Sequence, residues 1–212
     1  MSPLSFHHFQ KAKSIALIIG LFFVATSALV GKVPFFLYLN ADFGAWIDKI
    51  MQAFSFAGEW VSWVVLLFLV IVVFKKINTL PLLLASFLIV TILVQTAKRT
   101  IPDMARPVKE IGSSQAIHTT PGITLHDWNS FPSGHTATAF TIYFLLCMYI
   151  PNNKTVIFGL LLASLVGYSR VYLAQHFPVD VGGGILAAVL AVLLAIKVQL
   201  YFDRKRKSPL AS

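Results

Sequence analysis

Two histidines and an aspartate stand close to the ends of apolar segments in this chain, where ionisable side chains are unusual. His135 begins one apolar run, and His176 and Asp180 lie between two others. A carboxylate that accepts a hydrogen bond from one ring nitrogen leaves the other nitrogen free to attack an electrophile. Since Pro178 suits the first turn of a helix, Asp180 can reach back toward His176. These residues predict nucleophilic or acid–base chemistry.

The residues just before His135 predict an anion site. Ser133 follows Pro132 and is a natural N-cap for the helix that the apolar run would form. A helix N-terminus carries free N–H groups and the positive end of the helix dipole, and both favour a phosphate. Gly134 allows that anion to approach the backbone because no Cβ stands in the way.

Four basic residues strengthen the prediction of an anionic ligand. Arg106 and Arg170 carry planar guanidinium groups that can each hold two phosphate oxygens. Lys98 and Arg99 end another apolar run and add further positive charge. Two histidines and a carboxylate could also bind iron or zinc. Because the basic residues would repel a metal ion, we predict no metal and no cofactor.

The composition predicts an integral membrane protein. Of 212 residues, 57% are hydrophobic and only 12% are charged, and the mean hydropathy is +0.78. The apolar runs are continuous rather than alternating, which indicates helices rather than strands. We predict a single all-α domain over residues 1–212 with six membrane-spanning helices, at about 14–31, 57–74, 80–97, 134–150, 155–173 and 179–201.

The distribution of lysine and arginine predicts which side of the membrane each segment faces. With cytoplasmic termini, the inner segments hold ten basic residues and the outer segments hold seven. Four of those seven are Lys98, Arg99, Arg106 and Arg170, and the predicted anion site gives another reason for these four to lie on the outer side. We therefore predict that both termini are cytoplasmic and that the polar segment 98–133 is extracytoplasmic.

Two further segments have predicted roles at the membrane surface. Residues 32–56 show apolar residues at helical spacing, which suits either an amphipathic helix in the membrane interface or a helix packed on the other spans. The basic run 204–207 in the C-terminal tail 203–212 predicts contact with anionic lipid headgroups. Nothing in the sequence favours nucleic acid as a partner.

Two other groups of residues are assigned no chemistry. Glycines 182–184 suit close helix packing or leave room for a lipid chain, and packing is the prediction. His118, His126 and Asp127 lie in the polar segment outside any catalytic pattern. A structural loop role is the prediction for them, and headgroup selection by His126 and Asp127 is the alternative.

At its polar residues the chain resembles the type 2 phosphatidic acid phosphatase superfamily. The signature of that family has three parts: a lysine separated by six residues from Arg-Pro, then Pro-Ser-Gly-His, and then Ser-Arg, five residues, His, three residues and Asp. The second part is here Pro132-Ser133-Gly134-His135, and the third is Ser169-Arg170 with His176 and Asp180. The family's six-helix membrane arrangement fits the rest of the chain.

The first part of the signature departs from the family pattern. Six residues separate Arg106 from Arg99 rather than from a lysine, and Lys98 stands one position too early. Either Arg99 takes the role of the lysine, or a one-residue bulge restores Lys98 to that role.

The resemblance implies a role for each site residue. His176 would be the nucleophile that forms a phosphohistidine, and Asp180 would orient it. His135 would protonate the leaving oxygen and then activate water. The phosphate would be held by Lys98 or Arg99, Arg106, Ser133, the Gly134 backbone and Arg170.

The sequence therefore predicts a membrane lipid phosphatase with its site at the outer face, in a bacterial inner membrane. Its predicted partners are a phosphorylated lipid substrate and membrane lipids. The resembled family acts on polyprenyl diphosphate, phosphatidate, phosphatidylglycerol phosphate and lipid A phosphates, and all four stay open. A haloperoxidase is disfavoured because that branch is soluble. The other alternative is a catalytically silent phospholipid-binding or lipid-transport protein, which the intact His135, His176 and Asp180 disfavour.

Overall fold

Helices make up the regular structure of the chain. The computed structural model describes residue 4, residues 6–101 and residues 104–207, and within them every regular element is a helix, which confirms the all-α prediction. A π-helical turn (Leu69–Val73) extends α4, and a 3₁₀ turn (Ile77–Thr79) precedes α5. The helices are α1 (Phe6–Val30), α2 (Lys32–Leu39), α3 (Ala45–Phe56), α4 (Val61–Phe68), α5 (Leu80–Thr100), α6 (Pro107–Ile111), α7 (Gly134–Tyr149), α8 (Asn153–Tyr172) and α9 (Pro178–Lys207).

Each of the six predicted spans coincides with a helix, but the first and last helices are longer than predicted. α1 begins at Phe6 rather than near residue 14, and α9 continues to Lys207. Hydropathy marks the stretch that suits lipid, whereas helical hydrogen bonding continues wherever flanking side chains find partners. In the first turns of α1, Phe9 is fully buried and packs edge-on against Phe144 of α7.

Four helices of the described residues are long and apolar enough to cross a membrane, as expected for an integral membrane protein. They cover Phe6–Val30, Ile77–Thr100, Asn153–Tyr172 and Pro178–Arg206. α3 and the segment Val61–Val73 meet the same requirement jointly, although they are bent by 59° relative to each other. α7 has only 16 residues. The count of six spans therefore stays a prediction.

α7 lies at the centre of the bundle. It packs against α1, α5, α8 and α9, and most of its side chains are buried, including Phe140, Phe144 and Cys147. Its surroundings are therefore protein rather than lipid. The neighbouring helices can supply side chains to a single site at the end of α7.

Three successive glycines bring α9 into close contact with its neighbours. A Cβ at Gly182 would lie 2.7 Å from a backbone oxygen of α1, and a Cβ at Gly184 would lie 2.6 Å from the Ser133 carbonyl oxygen. A Cβ at Gly183 would overlap the ring of Phe131. The predicted close packing is confirmed, and neighbouring protein atoms fill the space that a lipid chain would need.

α3 is the amphipathic helix predicted within residues 32–56. Its inner face buries Asp48, Met51 and Ser55 beside α8, while Trp46 on the outer face is 80% exposed. The helix is therefore packed on the bundle, which was one of the two predicted alternatives. Its outer face keeps the aromatic character that suits a membrane interface.

Candidate active site

The predicted site residues meet at one end of the bundle. They come from the end of α5, the loop before α6, the N-terminus of α7 and the connection between α8 and α9. His135 and His176 each interact electrostatically with Lys98, Arg106 and Arg170, and with each other. Segments far apart in the sequence thus form one polar group, which we call the phosphate cluster and which also contains Asp180, Ser133 and Gly134.

His176 and Asp180 form the buried centre of the phosphate cluster. Nδ1 of His176 lies 3.4 Å from Oδ2 of Asp180, and both side chains are almost fully buried. α9 begins at Pro178, as predicted, so Asp180 reaches back from its first turn. Oδ2 also accepts hydrogen bonds from the Ser130 hydroxyl (2.5 Å) and the Phe177 amide (2.8 Å). The carboxylate is therefore fixed from two sides while it faces the imidazole ring.

The contact between His176 and Asp180 is longer than a normal hydrogen bond. In the part of the chain that the structure describes, Nδ1 of His176 and Oδ1 of Asp180 have no hydrogen-bond partner. A movement of about 0.5 Å would bring the two side chains to ordinary hydrogen-bond distance. Catalytic hydrogen bonds are often loose in a free enzyme and tighten when substrate binds.

The pKa of His176 is lowered well below its usual value of 6.5. Burial is the largest cause because it penalises the charged ring, and the charges of Arg106, Arg170 and Lys98 act in the same direction. The nearby Ser130 backbone opposes them. His176 is therefore neutral near pH 7, and a neutral ring has a nitrogen lone pair with which to attack.

Ser133 caps α7, as the sequence predicts. Its hydroxyl accepts hydrogen bonds from the Thr136 amide (3.4 Å) and the Thr136 hydroxyl (2.9 Å). Its own amide donates to the Asp180 carbonyl oxygen (2.9 Å), which ties the first turns of α7 and α9 together. A Cβ at Gly134 would meet Val94 only at 3.7 Å, so this end of the helix has room for a ligand.

Arg106 is held in place by uncharged oxygens. Its Nε donates to the Trp128 carbonyl (3.0 Å), and its Nη1 donates to the carbonyl and side-chain oxygens of Gln175 (3.2 and 3.0 Å). Burial lowers the pKa of Arg106 below its usual value, and the charge of Asp180 opposes that shift. An arginine nevertheless stays protonated in proteins, so its charge remains available to an anion.

Arg170 lies in the last turn of α8, and backbone hydrogen bonds connect it to His176. Its carbonyl accepts hydrogen bonds from the amides of Gln175 (2.9 Å) and His176 (3.0 Å), and its Nη1 donates to the Ser55 hydroxyl of α3. Among the described residues its Nε has no partner, although only 7% of the residue is exposed. A phosphate oxygen would satisfy this buried nitrogen.

The structure distinguishes the two candidate cations at the end of α5. Lys98 is half-buried and interacts electrostatically with Arg106 and Arg170, whereas Arg99 is exposed. Successive residues of a helix point about 100° apart, so the two side chains cannot face the phosphate cluster equally. A one-residue bulge between Lys98 and Arg106 was one of the two alternatives, and residues 102–103 of that segment lie outside the described residues.

Two cavities open beside the phosphate cluster. The first has a volume of about 470 Å³ and a polar wall that includes three basic residues, Lys98, Arg99 and Arg106, together with His126 and Asp127. The second has a volume of about 310 Å³ and lies beside His135, between α5, α7 and the turn before α4. We call them the basic cavity and the His135 cavity. His126 and Asp127 thus line the same cavity as Lys98 and Arg106 of the phosphate cluster.

Sequence motifs do not identify three polar residues that support the site. Ser130 bonds Asp180, Gln175 bonds Arg106, and Ser55 bonds Arg170. The two residues of these three pairs are 50, 69 and 115 residues apart in the chain, respectively. A polar residue beside an apolar run is a weak signal on its own, and only the packing of the helices identifies its partner.

His118 belongs to a separate cluster that supports the end of α8. Its Nε2 lies 3.0 Å from Asp48, which also accepts a hydrogen bond from the Tyr172 hydroxyl (2.6 Å). The side-chain amide of Asn40 donates to two carbonyl oxygens of the last turn of α8, including that of Tyr172 (2.8 Å). These bonds satisfy the end of the helix that carries Arg170.

Three residues of that supporting cluster are spaced closely enough to bind a metal ion. The ligand atoms of Asp42, Asp48 and His118 lie within 4.8 Å of one another. Nε2 of His118 faces Asp48, and Nδ1 faces Asp42 at 3.7 Å, so both ring nitrogens already have a carboxylate neighbour. Hydrogen bonding and charge account for the arrangement, and we assign no metal to it.

The bundle of long apolar helices defines an integral membrane protein. At one end of the bundle, a buried neutral histidine lies beside a carboxylate and several cations, and this polar site suits a phosphate-like anion. The family model of the PAP2 superfamily matches residues 76–204. The chain therefore belongs to the PAP2 superfamily, which confirms the resemblance seen in the motifs.

Individual relatives extend this comparison. The undecaprenyl-diphosphatase of Sulfolobus acidocaldarius is 27% identical over 169 residues, which cover 79% of this chain and 78% of that protein. LpxE of Aquifex aeolicus superposes with a TM-score of 0.63 and 26% identity, over 76% of this chain and 92% of its own. The PAP2-type phosphatidylglycerolphosphate phosphatase of Bacillus subtilis has the same fold, with a TM-score of 0.62 and 23% identity. The match covers 95% of this chain and 98% of that protein's chain. Further relatives are 37% to 45% identical, but this chain spans only 31% to 36% of their length.

Proposed function

We propose that this protein is a membrane lipid phosphatase that uses His176 as its nucleophile and needs no metal ion. The main support is the burial of a neutral histidine beside Asp180 and among the cations of the phosphate cluster. Such an arrangement can hold a phosphate while a ring nitrogen faces its phosphorus atom. Membership of the PAP2 superfamily and the names of the relatives support the same activity.

In the proposed first step, Nε2 of His176 attacks the phosphorus atom, and the bond between phosphorus and the leaving oxygen breaks. Asp180 accepts a hydrogen bond from Nδ1–H and stabilises the positive charge that develops on the ring. His135 donates a proton to the leaving oxygen, so the lipid leaves as an alcohol or as a lipid phosphate. The phosphoryl group is then bonded to His176 as a phosphohistidine.

In the proposed second step, His135 takes a proton from a water molecule, which attacks the phosphorus atom of the phosphohistidine. The nitrogen–phosphorus bond breaks, inorganic phosphate leaves, and His176 returns to its neutral form. One histidine thus acts first as an acid and then as a base.

Positive charge holds the phosphate oxygens through both steps. We assign this role to Lys98, Arg106, Arg170, the Ser133 hydroxyl and the Gly134 amide, with Arg99 further out at the wall of the basic cavity. The unpartnered Nε of Arg170 and the open N-terminus of α7 support this assignment. Donors already fixed around the phosphate stabilise the transition state without having to rearrange.

We propose further that the chain spans the membrane six times, with both termini in the cytoplasm and the phosphate cluster at the outer face of a bacterial inner membrane. The distribution of lysine and arginine supports this orientation. A lipid suits the site because its headgroup can reach the phosphate cluster while its hydrocarbon chains stay in the bilayer.

Phosphate release from a panel of lipids tests the proposed function. We expect the purified full-length protein in detergent to release inorganic phosphate from at least one of polyprenyl diphosphate, phosphatidate, phosphatidylglycerol phosphate and lipid A phosphate. The names of the relatives place undecaprenyl diphosphate and phosphatidylglycerol phosphate first in this panel. Lipid binding without any phosphate release would instead favour the silent lipid-binding or lipid-transport alternative.

Replacing Gly184 with alanine is expected to lower kcat by about 100-fold, because a displacement of about 1 Å in a catalytic site can have that effect. The new Cβ would lie 2.6 Å from the Ser133 carbonyl oxygen and would push the start of α7 away from α9. Gly20→Ala is the matched control, since its Cβ would meet the Ile185 side chain at 3.2 Å. We expect that variant to keep kcat within about threefold. Equal losses in both variants would contradict the prediction.

A further inference from the structure

The His135 cavity is lined by an acidic residue, Glu59, that the proposed mechanism does not use. Its wall combines His135 with Thr91 and Val94 of α5 and with Glu59 from the turn between α3 and α4. Among the described residues that line this cavity, Glu59 is the only acidic one. The basic cavity has the opposite character, because three cations line it.

The turn that carries Glu59 is fixed against α7. A Cβ at Gly58 would lie 2.8 Å from the Cβ of His135 and 3.1 Å from its carbonyl oxygen, so the backbone of this turn packs directly on that residue. The Glu59 amide donates to the Phe56 carbonyl (3.0 Å), and the Glu59 carbonyl accepts from the Ser62 amide (3.2 Å). The backbone that carries the carboxylate therefore has little freedom to move away from the cavity.

The charge of Glu59 is not cancelled by an ion pair. Within the described ranges, no basic nitrogen lies within 4.0 Å of its carboxylate. Arg170 interacts with it electrostatically, but the hydrogen bond from Arg170 goes to Ser55. Glu59 is half-buried, so solvent screens its charge only in part.

The position of this charge matters because of what enters the cavity, and the inference rests on the proposed function. His135 would protonate the leaving oxygen, so the cavity that His135 lines would receive the leaving group. A lipid diphosphate leaves as a lipid phosphate, whose negative charge would lie beside Glu59. A lipid phosphomonoester leaves as a neutral alcohol, which that carboxylate does not repel.

We infer that Glu59 is a specificity-determining residue that favours lipid phosphomonoesters over lipid diphosphates. It acts by repelling a leaving group that carries a second phosphate. Its contribution is therefore a difference between two substrates rather than a contribution to the chemical step that both share.

The test compares a prenyl monophosphate with the prenyl diphosphate of the same chain length, so that the two probes differ only in the leaving group. In Glu59→Gln, we expect the kcat/KM for the diphosphate, divided by that for the monophosphate, to rise about tenfold over the unaltered full-length protein. Glu59→Asp keeps the charge and should keep the original ratio. Asp203→Asn, near the far end of α9, is the matched control for loss of one negative charge and should also leave the ratio unchanged.

Each other outcome overturns a definite statement. An unchanged ratio in Glu59→Gln overturns the inference alone, because phosphate release would still support the phosphatase. Equal losses for both substrates would make Glu59 a positioning residue for Arg170 and would also overturn the inference. If the unaltered protein releases phosphate from neither probe nor from the lipid panel, both the inference and the proposed function are wrong.

Discussion

Replacing His176 with alanine is expected to abolish phosphate release, with a fall in kcat of about 10⁴-fold or more. The proposed reaction passes through a bond between Nε2 of this residue and phosphorus, and an alanine side chain cannot form that bond. His135 does not replace this nucleophile, because it transfers protons in the same proposed reaction. The measurement is release of inorganic phosphate by the purified variant from the best lipid of the panel.

A matched histidine variant separates loss of chemistry from loss of folding. His7→Ala removes an exposed histidine at the start of α1, and we expect it to keep full activity. His176→Ala should also keep a cooperative thermal transition, because the Ser130 hydroxyl and the Phe177 amide still donate to the Asp180 carboxylate. Activity of the His176 variant within about 100-fold of the unaltered protein would rule out this nucleophile.

Replacing Asp180 with asparagine is expected to lower kcat by about 10³-fold to 10⁴-fold, while the fold is kept. An amide of the same shape fills the space, but it cannot supply the negative charge that stabilises the ring of His176 when it gains a positive charge. The Ser130 hydroxyl and the Phe177 amide both donate to Oδ2 of Asp180, so the side-chain oxygen of asparagine can accept both hydrogen bonds and keep the local fold. The measurement is single-turnover phosphate release, which follows the chemical step directly.

Asp48→Asn is the matched control for Asp180→Asn. Asp48 is also buried and also accepts a hydrogen bond from a hydroxyl, that of Tyr172 (2.6 Å). It lies in the cluster that supports α8, so its replacement should lower thermal stability but keep kcat within about tenfold. If the two variants lost kcat equally, Asp180 would have a structural role rather than the proposed one.

Much of the helical framework follows from short-range rules. Continuous apolar runs predicted a helix at each of six places, Ser133 was predicted to cap α7, and Pro178 was predicted to open α9. Hydropathy, capping and proline geometry act over a few residues, so each can be inferred from neighbouring residues alone. The lengths of α1 and α9 were less predictable, because contacts with distant segments accompany both extensions: Phe9 packs against Phe144 of α7, and Arg206 donates to the Asn78 carbonyl before α5.

The candidate residues of the phosphate cluster could also be listed from the sequence, because their types and spacing match a family signature. His135, His176, Asp180, Arg106 and Arg170 all come together in the structure. What the list could not supply is which atoms face each other. The long contact between His176 and Asp180, and the partners that fix the carboxylate, depend on how α7 and α9 pack.

The tertiary structure alone decided several features that bear on function. Lys98 is half-buried and interacts electrostatically with Arg106 and Arg170, whereas Arg99 is exposed, because adjacent residues of a helix point in different directions. The tertiary structure also placed Glu59 in the wall of the His135 cavity, and filled the space beside Gly184 with the backbone of α7. The sequence by itself determined where the apolar helices form and which types of residue are available for chemistry. The supporting residues Ser130, Gln175 and Ser55 lie 50 or more residues from their partners, and no local rule specifies contacts at that separation, which only the packing of helices creates.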